Sequence, residues 1–147
     1  SNNSIEVRMA LASTNAWKVN VEETIQTAIR SEFSNALPIY RSKKTNIAGN
    51  QFAILRGENS EPQNTMYAKL GSNYNLSLEV YISDRKRNDI TVKHFFKQIS
   101  RVEELFYSLV ELNPLFNVSI NSINYNDDED INGYRKATFD LTVRNIR

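Results

Sequence analysis

The stretch YNLSLEVYIS, Tyr74 to Ser83, sets Tyr74, Leu76, Leu78, Val80 and Ile82 in strict alternation with Asn75, Ser77, Glu79, Tyr81 and Ser83. Side chains on a strand point alternately to its two faces, so this period of two predicts one buried face and one wet face, with Tyr81 on the wet side. Beyond the charged connection DRKRND the period changes. Val92, Phe95, Phe96, Ile99, Val102, Phe106, Leu109 and Val110 recur at steps of three and four, which predicts an amphipathic helix capped by Asp89 or Thr91 and stopped by Asn113 and Pro114. A half-buried strand followed at once by such a helix is the unit from which a helix-on-sheet layer is built.

Working outward, Phe116, Val118 and Ile120 alternate and Ile123 and Tyr125 resume one residue out of phase. The slip at Asn121 and Ser122 predicts a bulge. Ala137, Phe139, Leu141 and Val143 alternate again and predict a last strand. Towards the N-terminus, Val21, Ile25, Ala28, Ile29 and Phe33 predict a helix over 20–34, with Asn20 as its cap and Glu22 and Glu23 in its first turn. Pro38 ends it, and PIYRSK and QFAILRG read as two paired strands. ENSEPQNTMYAKLGSN, with Pro62 and Gly71, reads as the longest loop. Ile5, Val7, Met9 and Leu11 alternate with Glu6, Arg8 and Ala10, which suits a short strand or an N-terminal arm over 1–17. The expected fold is therefore α+β: a mostly antiparallel sheet with two helices packed on one face, in the order (β)αβββαββ, as one domain over 1–147.

Composition narrows the chemistry. With 18 basic and 17 acidic side chains the net charge is +1, so no general attraction to nucleic acid or to a membrane surface is expected. The chain has no cysteine, which excludes disulfides, thiolate catalysis and zinc-thiolate or iron–sulfur sites. No apolar run approaches the roughly 18 residues of a membrane span, and SNNSIEVRMALAST lacks the basic and apolar regions of a signal peptide. A soluble, intracellular protein is expected. With only four glycines no glycine-rich phosphate loop is present. The single histidine, His94, has no serine or carboxylate at the spacing of a catalytic triad or metal motif and reads as a surface residue.

DEDING, Asp128 to Gly133, matches the opening of a calcium loop, D-x-[DN]-x-[DN]-G. Such a loop needs a bidentate Glu at its twelfth position and helices on both sides. Here that position is Phe139 and both flanks alternate as strands, so a solvated hairpin tip is the better reading. A looser calcium loop is the alternative. Neither cofactor nor metal is expected. The basic groups Arg41, Lys43 and Lys44, and Arg85, Lys86 and Arg87, lie in expected loops, where a solvated face or docking onto an acidic surface are the two readings.

The run VEETIQTAIRSEF, LPIYRSK, YNLSLEVYISDRKRNDITVKHFFKQISRVEELF and the closing GYRKATFDLTVRNI resembles, over residues 18–146, the tail terminator or tail-completion (neck) proteins of tailed bacteriophages. The resemblance lies in topology and pattern. It implies a structural virion protein without catalysis, a homo-oligomeric ring, usually a hexamer, that is assembled in the host cytoplasm. Such a ring caps the tail tube protein, docks the head–tail connector protein and lets DNA pass through its lumen without specific binding or membrane contact. On that resemblance Arg41, Lys43, Lys44, Tyr81, Arg85, Lys86 and Arg87 are the expected subunit or partner contacts, the N-terminal arm is expected to reach a neighbour, and Asp127, Asp128, Glu129 and Asp130 are an acidic tip expected to line the lumen. The C-terminal half, YNLSLEVYI through TFDLTVRNI, also resembles the ferredoxin-like assembly domains of pilus and type II secretion systems, which is the alternative.

Overall fold

The computed structural model describes residues 16–41, 49–64, 69–84, 88–112, 116–127 and 133–145. Its elements are α1 (Ala16–Phe33), β1 (Ile39–Tyr40), β2 (Gln51–Asn64), β3 (Lys69–Ser83), α2 (Asp89–Leu112), β4 (Phe116–Asp127) and β5 (Tyr134–Asn145). The five strands form one sheet in the order β1-β2-β3-β5-β4, antiparallel except for the parallel pair β1–β2. This is the expected α+β class. The expected strand or arm over 1–17 lies outside the described residues save for Ala16 and Trp17, which begin α1.

Both helices pack on one face of the sheet. Val21, Ile25, Ile29 and Phe33 of α1, and Phe95, Ile99, Val102 and Phe106 of α2, are buried with Leu76, Leu78, Val80, Ile82, Ala137, Phe139, Leu141 and Val143 of the central strands. The ring of Phe106 lies 5.8 Å from that of Phe139. Phe139, the twelfth position of the supposed calcium loop, is thus fully buried.

Four expectations at element boundaries are corrected. Helix α1 starts at Ala16, because Ala16 and Lys18 favour helix and no breaker intervenes. Asn20 is consequently an interior residue whose carbonyl accepts the Thr24 hydroxyl at 2.7 Å, and Glu22 and Glu23 lie beyond the first turn. At the other end Ser34 adopts φ 53° while its N–H donates to the Arg30 carbonyl at 2.8 Å, a left-handed C-terminal turn. The cap of α2 is Asn88. Its side chain accepts the Thr91 N–H at 2.9 Å and the Thr91 hydroxyl accepts its N–H at 3.1 Å, a reciprocal box in which Asp89 contributes charge to the first turn.

The expected long loop is instead mostly a β-ribbon. The β2–β3 ladder continues to Asn64↔Lys69, with irregularities at Gly57/Asn59 and Gln63/Asn64. A backbone ladder needs no apolar side chains, so a ribbon beyond the core leaves no periodic signal. Pro62 is tolerated because β1 pairs only with Ala53 and Ile54 and, among the described residues, no strand pairs with β2 alongside Pro62 on its outer side. The expected bulge in β4 is present between Ile120 and Ser122.

The sheet face away from the helices is not uniformly wet. Phe52, Ile54, Tyr81 and Tyr134 form a second buried cluster, with Tyr40 against it. Phe52 stacks on Tyr81 at 4.6 Å and meets Tyr134 edge-on at 5.5 Å. Alternation assigns a residue to a face, but cross-strand register decides its neighbours, and Phe52 is directly opposite Tyr81.

One contact ties α1 to the sheet. The Tyr74 ring crosses Gly57 on β2, and its hydroxyl donates to Glu22 of α1 at 2.7 Å. Arg41 also pairs with Glu22. A Cβ at position 57 would stand 1.9 Å from the Tyr74 hydroxyl oxygen. Gly57→Ala should therefore destabilise by about 1–3 kcal/mol in urea unfolding, and far less when Tyr74 is first replaced by alanine. Burial, with the Glu22 carboxylate accepting its hydrogen bond and opposing a phenolate, raises the Tyr74 pKa well above the ordinary 10.0, against the pull of Arg41. The unfolded chain then loses this proton near pH 10 while the folded chain keeps it, so the contribution is constant below pH 10 and falls as pH rises beyond it. Tyr74→Phe should flatten that alkaline decline in urea midpoints measured between pH 9 and 11.

Candidate functional site

Residues that adjoin three of the segments singled out in the sequence meet at one end of the sheet. The Asn50 carbonyl accepts the Ser83 N–H at 2.6 Å, the Gly133 carbonyl accepts the Asp84 N–H at 2.8 Å, and the Tyr134 hydroxyl donates to the Gly49 carbonyl at 2.6 Å. The Arg135 guanidinium donates to Asp84 at 2.8 Å. Asp84 is almost wholly buried, its side chain 4% exposed, whereas Arg135 keeps 25% of its side chain in water. These bonds bring together Gly49, Asp84 and Gly133, which adjoin 42–48, 85–87 and 128–132 respectively. Lys43 and Lys44, Arg85, Lys86 and Arg87, and Asp128, Glu129 and Asp130 themselves lie outside the described residues. Asp127 ends β4, opposite Arg135.

Two expected contact residues have internal work. Tyr81 is 2% exposed, its hydroxyl donates to Glu79 at 3.1 Å and Lys136 lies 5.9 Å above its ring, so its place as a wet-face contact is overturned. Arg41 is exposed but is turned onto Glu22 and Gln26 of α1. It stands apart from the loop end just described, near Tyr74.

The rest of the open sheet face is a polar surface. A side-chain ladder crosses four strands: Asn75 donates to Asn59 at 2.5 Å, Thr142 to Asn75 at 2.7 Å and Asn121 to Thr142 at 2.7 Å. Glu79 lies between Arg56 at 3.2 Å and Lys136 at 3.4 Å.

Aromatic residues that the sequence assigned to the core lie outside it. Phe96 is 42% exposed and Tyr125 47%, with rings 5.2 Å apart where α2 meets β4. The signal was present in the helical wheel. Phe95, Ile99, Val102 and Phe106 already define the inward stripe, and Phe96 stands about 100° round from Phe95. A shallow depression runs along α2 beside Lys93, Phe96, Lys97, Ser100 and Arg101, but only this one helix lines it. His94 is exposed and is not part of it. Among the described residues no group of three or more His, Asp or Glu could hold a metal, and no helix is long and apolar enough to cross a membrane.

No protein-family model matches the chain, and no curated protein matches it significantly.

Asp84 and Arg135 fasten the start of the 85–87 connection to the base of the last hairpin. Asp84→Ala should cost about 2–3 kcal/mol in urea unfolding, below the roughly 3–5 kcal/mol of a fully buried pair because Arg135 remains partly solvated.

Proposed function

We propose that the chain is a structural subunit of a tailed-phage neck, a tail terminator that closes into a ring, caps the tail tube and joins it to the head connector. The observation that carries this reading is the unlike pair of sheet edges. A ring is built from heterologous contacts, in which one patch of each subunit meets a different patch of the next. On one side β4 offers a twelve-residue edge beside Phe96 and Tyr125. On the other, β2 carries Arg56, Glu58, Glu61 and Pro62, with the two residues of β1 covering only its start. The element order αβββαββ, with both helices on one face, agrees with the resemblance seen in the sequence. In this reading the charged loops at the end of the sheet face the tube or connector, and the acidic tip repels DNA in the lumen.

One observation keeps the secretion or pilus reading alive. Strands β3 and β4 both run antiparallel to β5 between them, so β3–α2–β4 with β5 inserted is the split β-α-β unit of ferredoxin-like folds. Among the described residues the N-terminal half departs from that fold, because α1 precedes a β1–β2–β3 series and forms no second β-α-β unit.

Negative-stain images and light scattering of the chain mixed with assembled tail tubes separate the two. The neck reading expects annular particles at tube ends and tubes that stop growing. A small dimer that ignores the tubes would reject it in favour of the assembly-domain reading.

A further inference from the structure

The outer edge of β4 is unlike an ordinary sheet edge. From Phe116 to Asn126 it contains no charged residue and no proline, the devices by which edge strands normally avoid pairing with other chains. Its one protective feature is the bulge at Ile120/Ser122, which bends the edge without charging it. No described residue hydrogen-bonds to the outer side of its backbone. On the helix face Val118, Ile120 and Ile123 are only partly buried at the margin of the core, and Tyr125 and Phe96 continue this apolar strip into solvent. On the other face the Asn–Thr ladder ends at Asn121, exposed on β4.

Such an edge calls for a strand with apolar residues at period two on one face and neutral or balanced polar residues on the other. The chain itself contains one: Ile5, Val7, Met9 and Leu11 alternate with Glu6, Arg8 and Ala10. Apolar side chains at that spacing can meet Val118 with Ile120, or Ile123 with Tyr125, on either side of the bulge, across an added strand about 4.8 Å beyond β4. Glu6 and Arg8 cancel in charge, so they meet no like charge on the uncharged edge.

We infer that the N-terminal segment of one subunit adds as a sixth strand to the β4 edge of its neighbour, using main-chain hydrogen bonds for strength and the Phe96–Tyr125 strip for register. This rests on the ring reading for the choice of a neighbouring subunit over the same chain. It supplies the head-to-tail contact that such a ring requires, because donor segment and acceptor edge are different surfaces.

The absence of cysteine makes the test direct. Full-length chains carrying Arg8→Cys are mixed with chains carrying Ser119→Cys or Asn124→Cys, both exposed on β4, and treated with a short bismaleimide. A chain with Glu58→Cys, exposed on β2, is the control. Cross-linked heterodimers at a β4 position, and few at position 58, are expected. Equal yields at both edges, or a product formed only within a chain carrying both cysteines, would overturn the inference. Val7→Asp with Met9→Asp should abolish the cross-link and speed amide exchange in β4 by about tenfold or more. Unchanged exchange would count against it equally. Annular particles that persist with the doubly substituted arm would sink this inference and leave the neck reading standing, whereas cross-linked chains that never close on tubes would do the reverse.

Discussion

The structure depends on one apolar layer: the inward side chains of β2, β3 and β5 pressed against the stripes of α1 and α2. Leu78, Phe139 and Phe106 stand at its centre and are virtually without solvent exposure. Because strand side chains alternate, everything that presents Leu76, Leu78, Val80 and Ile82 to the helices also fixes Ser77, Glu79 and Tyr81 on the opposite face. A shift of one residue in any central strand would reverse both faces. The layer therefore sets register as well as stability.

From that register the surfaces follow. Holding β3, β5 and the start of β2 in place lets Asn50 accept the Ser83 N–H and Gly133 the Asp84 N–H at one end of the sheet. Holding β4 as the last strand exposes its edge and turns Tyr125 towards Phe96. The helices cover only one face, which leaves the Asn–Thr ladder open across the other. None of these features resembles a cleft with converging acids, bases or ligands.

The same layer accounts for what sequence reasoning could and could not see. Strong periodicity marks residues that must face the core, so β3, α2, β5 and the β4 bulge were legible from spacing alone. The β2–β3 ribbon past Gly57 was not, since its backbone ladder extends beyond the helices and imposes no pattern on its side chains. The cap of α2 was missed by one or three residues because Asn88, Asp89 and Thr91 are all acceptable caps, and only the paired bonds between Asn88 and Thr91 select one. Tyr81 was placed on the correct face and the wrong side of the burial line, because Phe52 is far away in the chain and reaches it only through strand pairing.

The sequence by itself determined the class of fold, the two helical stripes, the inward set of each central strand and the failure of DEDING as a helix-flanked calcium loop. Those properties are local, carried by period and by residue type at fixed offsets. Tertiary structure alone decided the strand order, the parallel entry of β1, the sheltering of Tyr81, the Tyr74–Glu22 contact over Gly57, and which edge was left unguarded beside Phe96 and Tyr125. Each of these depends on which distant segments become neighbours. That choice is made by packing the helices against the sheet, and spacing along the chain does not encode it.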